Sequence, residues 1–156
     1  MTEEEIYKLL NQHEWKDVEF KEARTKVPKD AYESVSAFAN TEGGHLVFGV
    51  KKDGSDFEIV GVINVDEVQN DFLTTLRQKE KFNQIIDVQE DLHTIDNKSL
   101  LVFYIPESSR AQKPVYLNSA ITRSFLRKGA CDVKCTQDEI QRLLRDAASE
   151  FHPAYI

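Results

Sequence analysis

Apolar residues change their spacing several times along the chain, and each change predicts a new element. Ile6, Leu9 and Leu10 form a narrow helical stripe over residues 2–12, with Thr2 placed to cap it and three glutamates at the positive end of the helix dipole. Residues 17–21 then alternate strictly, which puts Val18 and Phe20 on one face of a half-buried strand and Glu19 and Lys21 on the other. Pro28 suits the first turn of a second helix, in which Ala31, Val35, Phe38 and Ala39 recur at helical spacing until Gly43-Gly44 stops it. Residues 45–50 are apolar almost throughout, as in a strand covered on both faces, and Asp53-Gly54 turns the chain into a second strand over 57–63.

Val68, Phe72 and Leu76 place a third helix over 65–82. Two strands follow, over 85–95 and 99–105, joined at Asp96-Asn97 and ended by Pro106. A polar loop over 107–114 leads to short strands at 115–116 and 122–127. Thr136 with Glu139 then forms a capping box for a last helix. This order predicts an α/β (α+β) fold with a mixed β-sheet and about four helices. No repeat or linker divides the chain, so residues 1–156 read as a single domain with its core at about 12–146.

Composition narrows the function. A chain of 156 residues with 40% hydrophobic content supports one core without a staple. No apolar run approaches the roughly 20 residues of a membrane span, and the acidic start is not a secretory leader, so the chain reads as cytoplasmic with no membrane partner. Cys131 and Cys135 stand four apart with no histidine at ligand spacing, which reads as two free thiols and no bound metal or other cofactor. The net charge of −7 disfavours coating nucleic acid through bulk charge. Any such site must be a local basic patch.

Three constellations carry candidate chemistry. Glu14, Glu19 and Lys21 gather before and along the first strand; Glu19 and Lys21 share a face, about 6 to 7 Å apart by strand rise. Carboxylates there can hold a divalent cation while the ammonium meets a phosphate, though many solvated strands carry the same pair. The second is the run from Ala37 to His45, where a helix yields through two glycines to a strand. It reads either as a helix cap with close packing or as a cradle for a phosphate. The third is charge: from Glu107 to Gln137 six cations face two acids, a local +4. If 122–127 is a strand, Arg123, Phe125 and Arg127 face one side, followed by Lys128, and suit phosphate contacts and base stacking. The alternative is an edge strand protected by charge.

These pieces resemble a known family, the AlbA_2 domain or Schlafen-type AlbA-like DNA-binding domain. The resemblance rests on Val18-Glu19-Phe20-Lys21, on Ser36 to Gly44 running into Leu46 to Val50, on Ile59 to Val62, on Ile105 to Ser108, on Lys113 to Tyr116, and on Phe125 to Gly129 before Thr136 to Ile140. It implies an α/β module, often N-terminal in bacterial and archaeal transcriptional regulators. The apolar end of the chain accordingly reads as the N-terminal module of a longer protein. In Schlafen proteins that cleave RNA, two of three metal-holding acids lie in a Glu-x4-Glu-Phe-Lys motif, matched here by Glu14 and Glu19. Where the third acid is expected stand Lys51 and Lys52, with Asp53 beyond them. That departure weakens the nuclease reading.

The leading expectation is therefore a non-catalytic nucleic-acid-binding module, with DNA ahead of RNA, in which Lys21, Lys51, Arg110, Lys113, Arg123, Arg127 and Lys128 contact phosphates. The rival is a metal-dependent endoribonuclease holding Mg²⁺ or Mn²⁺ with Glu14 and Glu19 and possibly Asp53 as catalytic acids. A third class is a protein-interaction or dimerisation module, which leaves a homodimer open.

Overall fold

A computed structural model describes residues 1–11 and 17–150. In chain order its elements are α1 (Glu3–Leu10), β1 (Val18–Lys21), α2 (Ala31–Asn40), β2 (Gly44–Phe48), β3 (Val50–Asp53), β4 (Asp56–Ile59), α3 (Val65–Thr75), β5 (Gln89–Ile95), β6 (Lys98–Ile105), β7 (Phe125–Lys128), β8 (Cys131–Lys134) and α4 (Gln137–Glu150). Short 3-10 turns occupy Arg110–Gln112 and Ile121–Arg123. The central sheet has the order β1-β2-β6-β5, with β1 parallel to β2 and the other pairs antiparallel. Two hairpins, β3–β4 and β7–β8, stand outside it. A mixed sheet with four helices makes this an α+β fold, as the hydrophobic pattern predicts.

The alternation of β1 and β2 splits the interior into two layers. Leu46 and Phe48 face α2 and α3, where the rings of Phe48, Phe72 and Phe103 pack with centroids 4.5 to 5.4 Å apart. Val18, Phe20 and Val47 face the opposite way, toward Ile6 of α1 and the β3–β4 hairpin, with Phe20 and Phe57 centroids 4.9 Å apart. Glu19 is paired in register with Leu46, so its side chain points to the α2 side at the edge of the sheet.

Besides shorter strands at Asp56–Ile59 and Gln89–Ile95, three differences from the expectation reshape the fold. The apolar run 45–50 breaks at Gly49, whose φ is 108° and whose absent Cβ would lie 2.6 Å from Leu100 Cδ2 and 3.0 Å from the Ser99 carbonyl. The chain leaves the sheet there and β3 pairs with β4 instead. The third helix ends at Thr75 rather than 82; a turn follows it and lets Phe82 bridge to Leu117. Residues 122–127 are not one strand. Arg123 closes a 3-10 turn, and β7 begins at Phe125 and pairs with β8, which periodicity did not reveal.

Every residue of α2 except Glu33 is buried. Its small residues let neighbouring backbone close in, and two polar ones tie that backbone down. Asn40 donates to the carbonyls of Val115 at 2.9 Å and Phe125 at 3.0 Å, and accepts from Val115 N at 2.7 Å. Ser36 donates to the Val115 carbonyl at 2.7 Å and accepts from Phe125 N at 3.1 Å. At Gly43 a Cβ would stand 2.8 Å from the Ile105 carbonyl, and at Gly44 one would stand 2.5 Å from the Phe38 ring. The glycine run therefore serves close packing by the protein's own backbone and ring, the first of its two readings. Among the described residues no helix is long and apolar enough to cross a membrane.

Candidate functional site

Glu19 is the centre of the first charged cluster. It is 4% exposed, and one oxygen, Oε1, lies 3.4 Å from Lys21 Nζ and 3.5 Å from Lys52 Nζ. Its other oxygen, Oε2, accepts from Arg127 Nη1 at 2.9 Å. Lys21 sits two residues along the same face of β1, while Lys52 reaches over from β3. Lys21 also meets Asp30, just before α2, at 3.1 Å.

The alternation of β7 turns Phe125 and Arg127 inward together. Arg127 thereby enters a polar pocket between β1, α2 and β8. Its Nη1 also donates to Asp132 Oδ1 at 2.8 Å, its Nη2 donates to the Val18 carbonyl at 2.8 Å, and its guanidinium lies 5.0 Å from the Phe38 ring centroid. Asp132 in turn accepts from Ser34 Oγ at 2.5 Å. Burial opposes the charge on Arg127, but the hydrogen bonds and charges of Asp132 and Glu19 outweigh it and hold its pKa above the ordinary arginine value. With its side chain 1% exposed, Arg127 is a structural cross-link, and the expected phosphate contact is corrected on that ground.

A second cluster lies on the next face of α2. Asp30 and Ser34, four apart, meet the first cluster; Glu33 and Tyr32 meet this one. Arg123 Nη2 lies 3.5 Å from Glu33 Oε2, and its guanidinium lies 5.6 Å from the Phe125 centroid. Lys81 Nζ lies 4.6 Å from the Tyr32 centroid. Backbone bonds bring the two cations to one place: Leu117 N donates to the Arg123 carbonyl at 3.1 Å and Asn118 N to the Lys81 carbonyl at 3.0 Å. Burial lowers the Lys81 pKa, and repulsion from Arg123 and Lys29 lowers it further against the pull of Glu33.

The remaining candidates disperse. Lys113 pairs with Glu107 at 2.6 Å and Lys128 with Glu139 at 3.4 Å. Arg110 is exposed in its 3-10 turn. Lys51 and Asp53 are exposed on β3 and, by strand alternation, project to the side opposite Lys52. Asp53 therefore does not converge on Glu19; Lys52 does, as positive charge beside a carboxylate. Glu14 lies outside the described residues. Among the described residues no group of three or more His, Cys, Asp or Glu side chains is arranged to hold a metal ion. Sequence reasoning missed Lys29 and Lys81, which stand 52 positions apart in stretches where a lysine carries no periodic signal. Both cysteines are free; burial pushes the Cys135 thiol up to about 11.

An α+β module with a buried carboxylate ringed by cations at the edge of a mixed sheet defines the class. The chain belongs to the Schlafen, AlbA_2 family, whose model matches residues 14–136. It is similar to the N-terminal domain of a RecG-related protein from Nitrosomonas europaea, named as a candidate ATP-dependent DNA helicase. The identity is 30% over 76% of this chain and 82% of that one, with a TM-score of 0.57. The DIP2311 protein from Corynebacterium diphtheriae shares the fold at 20% identity and a TM-score of 0.54. That match covers 83% of this chain and 24% of that one. No curated protein matches the chain.

Proposed function

We propose that the domain binds nucleic acid through the phosphate backbone and does not cleave it. The observation that carries this reading is the convergence of Lys21 and Lys52 on a single carboxylate oxygen of Glu19, whose other oxygen is spent on Arg127. A carboxylate enclosed by three cations is a poor ligand for a divalent ion, which needs several unneutralised oxygens. The same arrangement favours a polyanion. The 3.5 Å contact of Lys52 to Glu19 is long, and its half-exposed side chain leaves the ammonium accessible to a phosphate oxygen. Family membership and the DNA-helicase name of the Nitrosomonas relative support nucleic acid as the polyanion, with DNA preferred. A role in transcriptional regulation belongs to the same proposal.

Binding of this kind is weak, largely independent of sequence and steeply dependent on salt. Log K falls by about 0.7 to 0.9 for each phosphate neutralised. The test is a salt series with labelled single- and double-stranded DNA and RNA, with and without manganese. A negative slope that shrinks in Lys52→Met supports the reading, and absence of any binding at low salt removes it. Manganese-dependent cleavage lost in Glu19→Ala would replace it with a nuclease.

A further inference from the structure

The proposed function leaves unassigned the second cluster, which differs in kind from the ion-paired surroundings of Glu19. Lys81 and Arg123 both lie near Glu33, the charge of Lys29 adds to that of Arg123 at Lys81, and Asp71 acts on the Tyr32 ring. Among the described residues, Lys29 and Lys81 form no ion pair, and the one contact of Arg123 to Glu33 is long at 3.5 Å. Arg123 has five N–H donors, and its buried Nε makes no hydrogen bond. The two cations nearest the protein body are each held against an aromatic face, Lys81 on Tyr32 and Arg123 on Phe125. A ring positions a cation and attracts it without satisfying its N–H donors.

That is the arrangement an oxyanion requires: positive charge in excess, donors unspent, and side chains fixed before the ligand arrives. Both carriers are anchored by backbone. The carbonyls of Arg123 and Lys81 accept from adjacent residues, Leu117 and Asn118, in a segment held against α2 by Asn40 and Ser36. A tetrahedral phosphate group meets the planar fork of Arg123 and the point charge of Lys81 together.

We propose that Lys81 and Arg123, assisted by Lys29, form a phosphate seat that takes a second phosphodiester of the same nucleic acid, on the face of α2 adjacent to Lys21 and Lys52. The seat rests on the nucleic-acid reading above and extends it. The N-terminal end of α2 lies between the two groups of cations, Lys21 meeting Asp30 on one side and Arg123 meeting Glu33 on the other.

The experiment compares wild type with the double variant Lys81→Met, Arg123→Gln. Fluorescence anisotropy with a labelled single-stranded DNA oligonucleotide reads the affinity. Amide chemical shifts on addition of inorganic phosphate read the seat without nucleic acid. Thermal melts confirm that both proteins fold. The seat predicts oligonucleotide binding weaker by about tenfold at 50 mM salt and a salt slope smaller by about 2 in the double variant. It also predicts phosphate-induced shifts at Lys81, Arg123 and Tyr32 that disappear in that variant. Oligonucleotide binding unchanged by the two substitutions overturns the seat and leaves the nucleic-acid reading standing. Absence of oligonucleotide binding by wild type removes that reading, and phosphate shifts confined to these residues would then still support the anion seat. No shift at these residues overturns it.

Discussion

The two charged clusters flank the same helix and use the same residue types, yet their physics is opposite. Around Glu19 each cation has a carboxylate: Arg127 lies between Glu19 and Asp132, Lys21 between Glu19 and Asp30, and Lys52 beside Glu19. Around Arg123 the cations lean on rings, and the one ion pair is the long contact of Arg123 with Glu33, with Asp71 acting on Tyr32. A buried guanidinium between two carboxylates joins strands; a guanidinium on a phenyl face with spare donors waits for an anion. Arg123 and Arg127 stand four residues apart in a stretch whose charge count treats them alike. What separates them is the 3-10 turn that ends at Arg123 and the strand that turns Arg127 inward.

The widest separation between the clusters is expected in stability. Arg127→Ala leaves Glu19 and Asp132 buried beside each other without their shared counter-charge, a loss of about 3–5 kcal/mol. Arg127→Lys does not restore it, because one ammonium cannot meet two carboxylates and the Val18 carbonyl in a single plane. Arg123→Ala removes a half-exposed side chain with one long ion pair and costs about 0.5–1 kcal/mol. Urea denaturation of the three variants decides it. Equal losses at the two arginines would erase the distinction drawn here.

A smaller loss, shared by both clusters, is expected at Asn40. Its side chain makes three buried hydrogen bonds to Val115 and Phe125, and Phe125 is at once the ring under Arg123 and the start of the strand that carries Arg127. Asn40→Ala strands those backbone groups and costs about 2–3 kcal/mol. Chemical shifts should move at Arg123 and at Arg127 together, which single substitutions in either cluster do not produce. A variant that disturbs one cluster alone would mean that the two are not built on a common support.

Much of the scaffold was legible from periodicity. The strict alternation of 17–21 placed Glu19 and Lys21 on one face, and Asp53-Gly54 and Asp96-Asn97 marked both turns. The spacing of Ala31, Val35 and Phe38 marked α2. A lysine beside Glu19 was legible where an acid was expected, but the choice between Lys51 and Lys52 was not: Lys51 was the expected contact and Lys52 is the one that reaches Glu19. The direction of Arg127 was not legible. Alternation says which residues share a face but not which face is inside, and of the two carboxylates that neutralise Arg127 only Asp132 is near in sequence, Glu19 coming from 108 residues away. Lys81 was out of reach for the same reason: only the bonds from Leu117 and Asn118 bring it to Arg123.

The smallest expected effect is also the most local, a displaced titration at Lys81. Burial lowers its pKa below the ordinary lysine value of 10.5, and the charges of Arg123 and Lys29 lower it further. Arg123→Gln removes one repulsion and should move the value up. Glu33→Gln removes the one opposing attraction and should move it down. Bound phosphate should move it up, since an anion favours the ammonium. The sign carries through to stability. Between the lowered folded value and 10.5 the unfolded chain binds more protons than the folded one, so the contribution of this group grows as pH rises through that window. Side-chain resonances of Lys81 followed over pH in the wild type and the two variants give the order directly. A Lys81 that titrates like an ordinary lysine and ignores both substitutions would place its ammonium away from Arg123, and the contrast with the paired cluster around Glu19 would lose its second half.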